Sequence, residues 1–455
     1  MWDFALERSH PAPAGQLMKP MTTSTVAAGA PYASTVGRYR WLICGLLFLA
    51  TTINYIDRQV LALIKGTLDT ELGWTNAQYG LANSAFQLAY AISLFGFGWF
   101  IDRKGVKIGY ALSIAAWGVA AAAHALVGSA RGFVMARIGL GLGEGGNFPS
   151  SIKAVAHWFP KRERAFATAL FNSGSNIGAI VAPAIVPVIA ATWGWRAAFV
   201  LMGVVGMAWL LLWLPLYNDP EKSPRLTKDE LDLIRSDSAT ESASERPVSW
   251  SELLRYREAW SFVVAKLLTD PVWWFFLTWL PDYFKKKWGL DIKSSWVHLV
   301  TIYAIITVLS IAGGWVTGNL ARRGWSVTRA RKMGMFIFAC CVLPIFFATR
   351  VGPWPAVVLI GIAGAAHQAW SANLFTTTSD MFPKRAVASL VGVGGMAGSL
   401  GGFAFPLFAG VLLDRLGASG YAILFAICGS AYLIAFALNH LLAPRFEPID
   451  LPSGH

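Results

Sequence analysis

Residues 41–64 read WLICGLLFLATTINYIDRQVLALI, a run whose only charged side chains at neutral pH are the adjacent Asp57 and Arg58. A membrane-spanning helix needs about 20 predominantly apolar residues, and this stretch meets that length. A charge at mid-bilayer costs about 2.5–3.5 kcal/mol on insertion scales, so a chain rarely keeps one without a use for it. Working outward with a window of about 19 residues, eleven more such runs appear, at 78–101, 108–128, 131–155, 166–191, 195–217, 259–284, 295–320, 333–350, 354–379, 387–413 and 419–443. The fourth run carries a second pair of charges, Arg137 and Glu144. The sequence therefore predicts an all-α polytopic membrane protein of twelve transmembrane helices, with two acids and two bases that sum to zero inside it.

Composition agrees. The 455 residues are 55% hydrophobic and 14% charged, against about 25% charged in soluble domains. The net charge of +13 does not point to nucleic acid, because the basic residues gather in alternate loops. Arg103, Lys104 and Lys107 form one group, Lys161, Arg162 and Arg164 a second, Arg322, Arg323, Arg329, Arg331 and Lys332 a third, and Lys384 with Arg385 a fourth. This positive-inside bias puts both termini in the cytoplasm. Lys285, Lys286 and Lys287 break the pattern on the outer side. They read either as a solvated helix end near Asp282 and Asp291 or as a basic funnel for anions. Cys44, Cys340, Cys341 and Cys428 lack CxxC spacing and lie in apolar runs, so they predict neither a disulfide nor a metal site.

Five segments follow. Residues 1–40, rich in Pro, Ala, Ser and Thr, read as a disordered cytoplasmic tail without a signal peptide, and Met18 or Met21 is an alternative start. Residues 41–217 form a first six-helix half and 259–443 a second. Between them, 218–258 is a polar cytoplasmic linker with a short surface helix near Thr227–Ser236, begun by a Thr227–Glu230 capping box. Residues 444–455 form a cytoplasmic tail. The halves are related, because Phe159-Pro160-Lys161-Arg162 recurs as Phe382-Pro383-Lys384-Arg385, an offset of 383 − 160 = 223 that also carries Pro183 onto Pro406. Each copy precedes a run with glycines at small-xxx-small spacing (Gly174, Gly178; Gly394, Gly398, Gly402), which lets helices approach closely. Two parallel repeats with a binding site between them at the midplane is a transporter architecture.

Gly98-Trp99-Phe100-Ile101-Asp102-Arg103-Lys104-Gly105 resembles the loop signature of the major facilitator superfamily. Its counterpart at Gly318–Gly324 lacks the acid. Asn54-Tyr55-Ile56-Asp57-Arg58, the Arg137–Glu144 spacing and Asp219-Pro220 resemble the anion:cation symporter family. Gly143–Pro149 and His367–Asn373 look most like its hexuronate transporters. The resemblance implies a major facilitator fold and proton-coupled import of a sugar-acid anion, glucuronate or galacturonate, by alternating access across the cell inner membrane. It implies no enzyme activity, no cofactor beyond the coupling protons, and a chain that acts as a monomer on a small anionic substrate.

The polar residues inside the runs supply candidates for that work. Tyr55 and Arg58 share a helix face, and Arg58 offers a planar two-pronged donor for a carboxylate. Asp57 points about 100° away and either competes for that charge or carries the proton. Arg137 and Glu144, seven residues apart, share a face but stand roughly 10 Å from one another, so each needs another partner. The resemblance makes Glu144 a protonation site and Arg137 its electrostatic regulator. Hydroxyl and ring recognition falls to Gln87 and Tyr90, Asn172 and Asn176, Trp273 and Trp274 after an expected kink at Asp270-Pro271, and His367, Trp370 and Asn373. The resemblance implies that Asp102, with Arg103, gates through contacts with the other half and does not bind. Gly141–Gly146 matches GxGxxG but lies within a span and follows no strand, so it is not a dinucleotide site. The open alternatives are an aldonate, aldarate or aromatic carboxylate as cargo, and a membrane enzyme or receptor, for which no metal cluster or nucleophile–base pair is visible.

Overall fold

A computed structural model describes residues 37–235, 249–449 and 451. The expected tail up to residue 36, part of the linker (236–248) and the last residues lie outside that description. Among the described residues there is no strand, and fifteen α-helices follow in order. The first half contains α1 (Tyr39–Leu72), α2 (Asn76–Lys104), α3 (Val106–Ala123), α4 (Ala130–Glu144), α5 (Asn147–Trp158), α6 (Lys161–Trp193) and α7 (Trp195–Leu216). Two short linker helices come next, α8 (Lys228–Arg235) and α9 (Trp250–Leu253). The second half contains α10 (Arg257–Trp288), α11 (Ile292–Arg322), α12 (Val327–Val342), α13 (Pro353–Met381), α14 (Lys384–Leu416) and α15 (Gly420–Leu442). With α4 and α5 counted as one interrupted crossing, these make twelve membrane helices in two sets of six.

Nine stretches among the described residues are long and apolar enough to cross a bilayer by length and composition alone, and one of them, 389–442, takes in both α14 and α15. The other two crossings are the interrupted α4–α5 and α13, whose apolar face is diluted by His367, Gln368, Ser371 and Asn373. The ninth run ends in a 3₁₀ segment, Leu343–Arg350. Helix α10 continues through Pro271 and Pro281 without a break.

The interruption in the fourth run falls directly after Glu144, at Gly145-Gly146. A helix break orphans carbonyls that must find other donors. Here the Ser113 hydroxyl of α3 donates to the Gly143 carbonyl at 2.6 Å, and the Ser93 hydroxyl of α2 donates to that of Leu142. A methyl group at Gly145 or Gly146 would collide with those same serines. Pro149 falls in the first turn of α5, where no amide hydrogen is required.

The repeat seen in the sequence is a repeat in space. Helices α6 and α14 both have 33 residues, start after a proline cap (Pro160, φ −62°, ψ 151°; Pro383, φ −62°, ψ 153°), and carry Pro183 and Pro406 at the same position. Their glycines seat the neighbouring helices. A Cβ at Gly178 would lie 2.5 Å from the Thr52 carbonyl oxygen of α1, and one at Gly401 2.5 Å from the Leu267 carbonyl oxygen of α10.

The halves join at the end remote from the linker. There one buried apolar cluster runs through both halves, with Leu61, Ile64, Val186 and Ile189 beside Phe276, Leu280, Leu299 and Ile302, whereas the rest of the first half has a separate core around Ile43, Leu47, Trp117 and Trp213. Tyr79 donates to the Thr278 carbonyl at 2.6 Å. Asp414 of α14 accepts from the backbone amides of Asn76 and Ala77, both at 2.8 Å, and so caps the start of α2 from the opposite half.

The linker helix departs from expectation. Thr227 does accept from the Glu230 amide at 3.3 Å, but the Glu230 carboxylate does not return to complete the box. It accepts instead from the backbone amides of Tyr39 (3.2 Å) and Arg40 (3.1 Å) and from the Arg40 guanidinium (3.1 Å). Arg40 also pairs with Glu163 of α6 at 2.9 Å. Helix α1 has no side-chain cap of its own, and the linker supplies one, so α8 is not the free surface helix that its sequence suggests. Removing one partner of a buried ion pair costs about 3–5 kcal/mol. Glu230→Ala should therefore lower the melting temperature of the purified protein markedly. Glu230→Gln, which keeps an amide acceptor, should lie between the two, and equal melting of all three proteins would remove the capping role.

Candidate functional site

Arg58 projects from α1 towards α4, α2 and α10. Its Nε donates to Glu144 Oε2 at 2.6 Å, with the two side chains 7% and 0% exposed. The guanidinium carbon lies 4.6 Å from the ring centre of Tyr90, 5.2 Å from Tyr55, 5.3 Å from Phe86 and 5.3 Å from Trp274. Cation–π contacts within about 6 Å are favourable and strengthen when desolvated, so four rings and one carboxylate hold a charge that the bilayer alone would reject. Because Nε takes the carboxylate, the two terminal nitrogens donate to no described residue. Those nitrogens form the planar fork that suits a second carboxylate.

Arg137, 1% exposed, forms no hydrogen bond or ion pair with Glu144 among the described residues. Its Nη2 donates to the Arg58 carbonyl (3.2 Å) and to Asn83 Oδ1 (3.3 Å), and its guanidinium carbon sits 5.4 Å from Phe86. The direct ion partner of Glu144 is thus Arg58, on another helix, and Arg137 acts on Glu144 only through space. Asp57 is buried, forms no ion pair among the described residues, and lies within electrostatic reach of Glu144, Arg137 and Arg58. Buried polar atoms are nearly always hydrogen-bonded. Here Asn54 Nδ2 and Oδ1, Asp57 Oδ2, Gln87 Oε1, Arg137 Nε and Glu144 Oε1 all lack a well-formed hydrogen bond among the described residues, a concentration of bonding capacity around one point. The adjoining cavity, lined by Arg58, Asn83, Phe86, Gln87, Arg137 and Trp274 among others, measures about 20 Å³. That is room for one water molecule and not for a six-carbon acid, so the halves must part to admit one.

The other expected residues divide by location. Tyr55, Tyr90, Gln87 and Trp274 surround the Arg58 site. Trp273 stacks on His367 (5.6 Å, 5°), whose Nδ1 bonds the Tyr432 hydroxyl at 2.6 Å, and Trp370 meets Tyr432 edge-on at 5.7 Å. This aromatic group lies within the second half. Asn373 is tied to α12, donating to the Arg331 carbonyl at 2.9 Å and accepting from its guanidinium at 3.4 Å, while Arg331 also pairs with Asp380 at 3.0 Å. Asn172 is exposed and Asn176 half-buried, and neither borders the cavity. Asp102 pairs with Lys153 of its own half at 2.6 Å, and Arg103 lies 4.0 Å from the Trp99 ring.

Two further buried ion groups escape the sequence pattern. At the end remote from the linker, Lys65 of α1, 1% exposed, bonds Asp69 (2.8 Å), Asn76 (3.0 Å) and, across the halves, Asp282 (2.8 Å). Asp282 also takes Lys286 (2.8 Å) and the Tyr421 hydroxyl (2.6 Å). Lys285 reaches the Gly66 carbonyl at 3.0 Å and Lys286 reaches Asn76 at 2.6 Å. These lysines therefore form neither a solvated helix end nor an open funnel, since two of the three tie the halves together. The second group, Lys266–Asp270 (2.7 Å), lies within α10. Both were legible as charges inside or bordering apolar runs.

Two parallel six-helix repeats enclosing a buried, carboxylate-paired arginine at their junction define a membrane transporter. The sequence matches the Major Facilitator Superfamily over residues 47–406, and the chain belongs to that family. It is 32% identical over 397 residues to the hexuronate transporter of Escherichia coli K12, covering 85% of this chain and 90% of that one. It is 28% identical to the D-galactonate transporter of Escherichia coli O6:H1, covering 90% and 96%. In structure it resembles a bacterial homologue of the human lysosomal transporter Spinster in an inward-facing, occupied conformation, with TM-score 0.71, 18% identity, and coverage of 90% and 98%.

The open fork generates a prediction. Hydrogen bonds to charged groups contribute about 1.5–3 kcal/mol, so Arg58→Lys, which keeps the charge and loses the fork, should weaken binding of the transported anion by about 100-fold. Isothermal titration or ligand-induced thermal shift checks this, and an unchanged dissociation constant would remove Arg58 from recognition.

Proposed function

We propose that the protein is a proton-coupled symporter that imports a hexuronate, glucuronate or galacturonate, across the cell inner membrane by alternating access. The observation that carries this reading is the Arg58–Glu144 pair, bonded through Nε, with the terminal nitrogens donating to no described residue. A proton on Glu144 cancels the charge that Arg58 faces, and the fork then holds the carboxylate of the incoming acid. Loss of that proton to the cytoplasm restores the pair and expels the anion. Asp57 is the second proton-responsive acid, and Arg137 sets the potential that both acids experience. Tyr55, Tyr90, Gln87 and Trp274 contact the sugar, with the Trp273–His367–Trp370 group behind them.

The positive-inside bias of the loops places the linker and both termini in the cytoplasm. The Lys65–Asp282 network then closes the outer mouth, and this conformation faces inward. Asp102 is released from the second half in this state and engages it in the opposite one. With Asp57 and Glu144 both ionised the four charges sum to zero, and each protonation adds one positive charge. Each net charge moved is worth about 2.3 kcal/mol per 100 mV, so one proton per anion is electroneutral and two let the membrane potential drive accumulation. The likeness to the hexuronate transporter supports the substrate. The likeness to the galactonate transporter supports an aldonate as the second reading, which a competition panel separates.

Uptake of labelled glucuronate into proteoliposomes should rise several-fold under an inward proton gradient and collapse with a protonophore. No stimulation would overturn the coupling. Glu144→Gln should abolish gradient-driven net uptake while preserving counterflow exchange, because exchange needs no proton release. Equal loss of both would remove the proton role.

A further inference from the structure

The Lys266–Asp270 ion pair takes no part in the scheme above, yet it lies on the same helix stripe as Trp274. Positions 266, 270, 274 and 278 recur every four residues and so share one side of α10. Trp274 touches the Arg58 guanidinium at 5.3 Å, and the Thr278 carbonyl takes the Tyr79 hydroxyl of the first half. The stripe therefore faces the junction between the halves. Asp270 and Lys266 stand about 6 and 12 Å further along it towards the linker.

The pair is built in. Lys266 Nζ is 2.7 Å from Asp270 Oδ2, and the ammonium sits 4.6 Å from the ring centre of Phe375 on α13. Gly398 of α14 lies so close to Asp270 that a Cβ there would overlap its Oδ2. Lys266 is 8% exposed and Asp270 17%, so the carboxylate is the less buried member of the pair. Asp270 stands about 6 Å along the helix from Trp274, which borders the Arg58 guanidinium, a span of the same order as an extended six-carbon acid.

We propose that Lys266–Asp270 reads the end of the substrate remote from the carboxylate on Arg58, admitting a hydroxyl-bearing terminus and rejecting a second carboxylate. This inference rests on the sugar-acid reading above. The pair has no net charge but offers both ammonium donors and carboxylate acceptors, which suits hydroxyl groups. A second carboxylate would meet Asp270, the less buried of the two, first, and like charges in a low-dielectric site repel strongly. The site thus separates acids with one carboxylate, uronates or aldonates, from aldarates with two. Removing the Asp270 charge would leave Lys266 as a second cation, matched to a dianion.

The test uses the full chain in proteoliposomes, reading the glucarate concentration that halves uptake of labelled glucuronate. In the wild type, glucarate should compete poorly. Asp270→Asn should shift the balance towards glucarate by at least tenfold relative to unlabelled glucuronate as competitor, and Lys266→Gln should shift it in the opposite direction. Ligand-induced thermal shift on the purified variants gives the same ratio where uptake is weak. A ratio within twofold of wild type in both variants overturns the proposal. If the wild type binds neither acid, the sugar-acid reading fails instead.

Discussion

The buried Arg58–Glu144 pair is the interaction on which the rest depends. Bringing two charges out of water costs several kcal/mol each, and their attraction repays this only while both partners stay in place. Separating them without compensation would leave a lone ion among Tyr55, Phe86, Tyr90 and Trp274. Neither partner can be released alone without cost, so in the proposed cycle a proton arriving at Glu144 and an anion arriving at Arg58 would each make the other's arrival less costly. That mutual dependence is a coupling free energy in the thermodynamic sense. It needs no moving part beyond the exchange of one carboxylate for another on a single guanidinium.

In the proposed cycle the scaffold would let this exchange bias the conformation. Arg58 belongs to the first half, and Trp274, one of its four rings, to the second. Any shift of the guanidinium is therefore felt across the junction. The equivalent glycines of α6 and α14 let carbonyl oxygens of α1 and α10 approach closely, so each half is tightly packed within itself. The junction, held by Lys65, Asp282, Tyr79 and Asp414, then carries the change of shape.

What was legible in the sequence follows from which forces act locally. Span length, loop charge bias and an offset repeat are properties of consecutive residues, and α6 and α14 match to the residue. Helix faces were legible too, so Tyr55 and Arg58 were placed together and Arg137 was kept from direct contact with Glu144. Partners across helices were not. Periodicity gives the side of a helix and not what stands opposite, so Glu144 was assigned to the electrostatic influence of Arg137 and found its ion pair with Arg58. Glu230 fits a local capping box and is claimed by the amides at the start of α1, which has no side-chain cap of its own. Asn373 and the lysines at 285 and 286 look solvent- or ligand-facing in one dimension and are consumed by neighbours in three.

The capping of α2 by Asp414 has a consequence for the solvent. The amides of Asn76 and Ala77 are satisfied by a carboxylate of the opposite half, and Lys65 and Asp282 are satisfied by each other. When the halves separate at that end, each of these groups must take up water in place of its partner. Opening there is thus a hydration reaction as well as a rotation. Its equilibrium depends on water activity, and an osmolyte excluded from the crevice would hold the transporter closed on that side without binding to it.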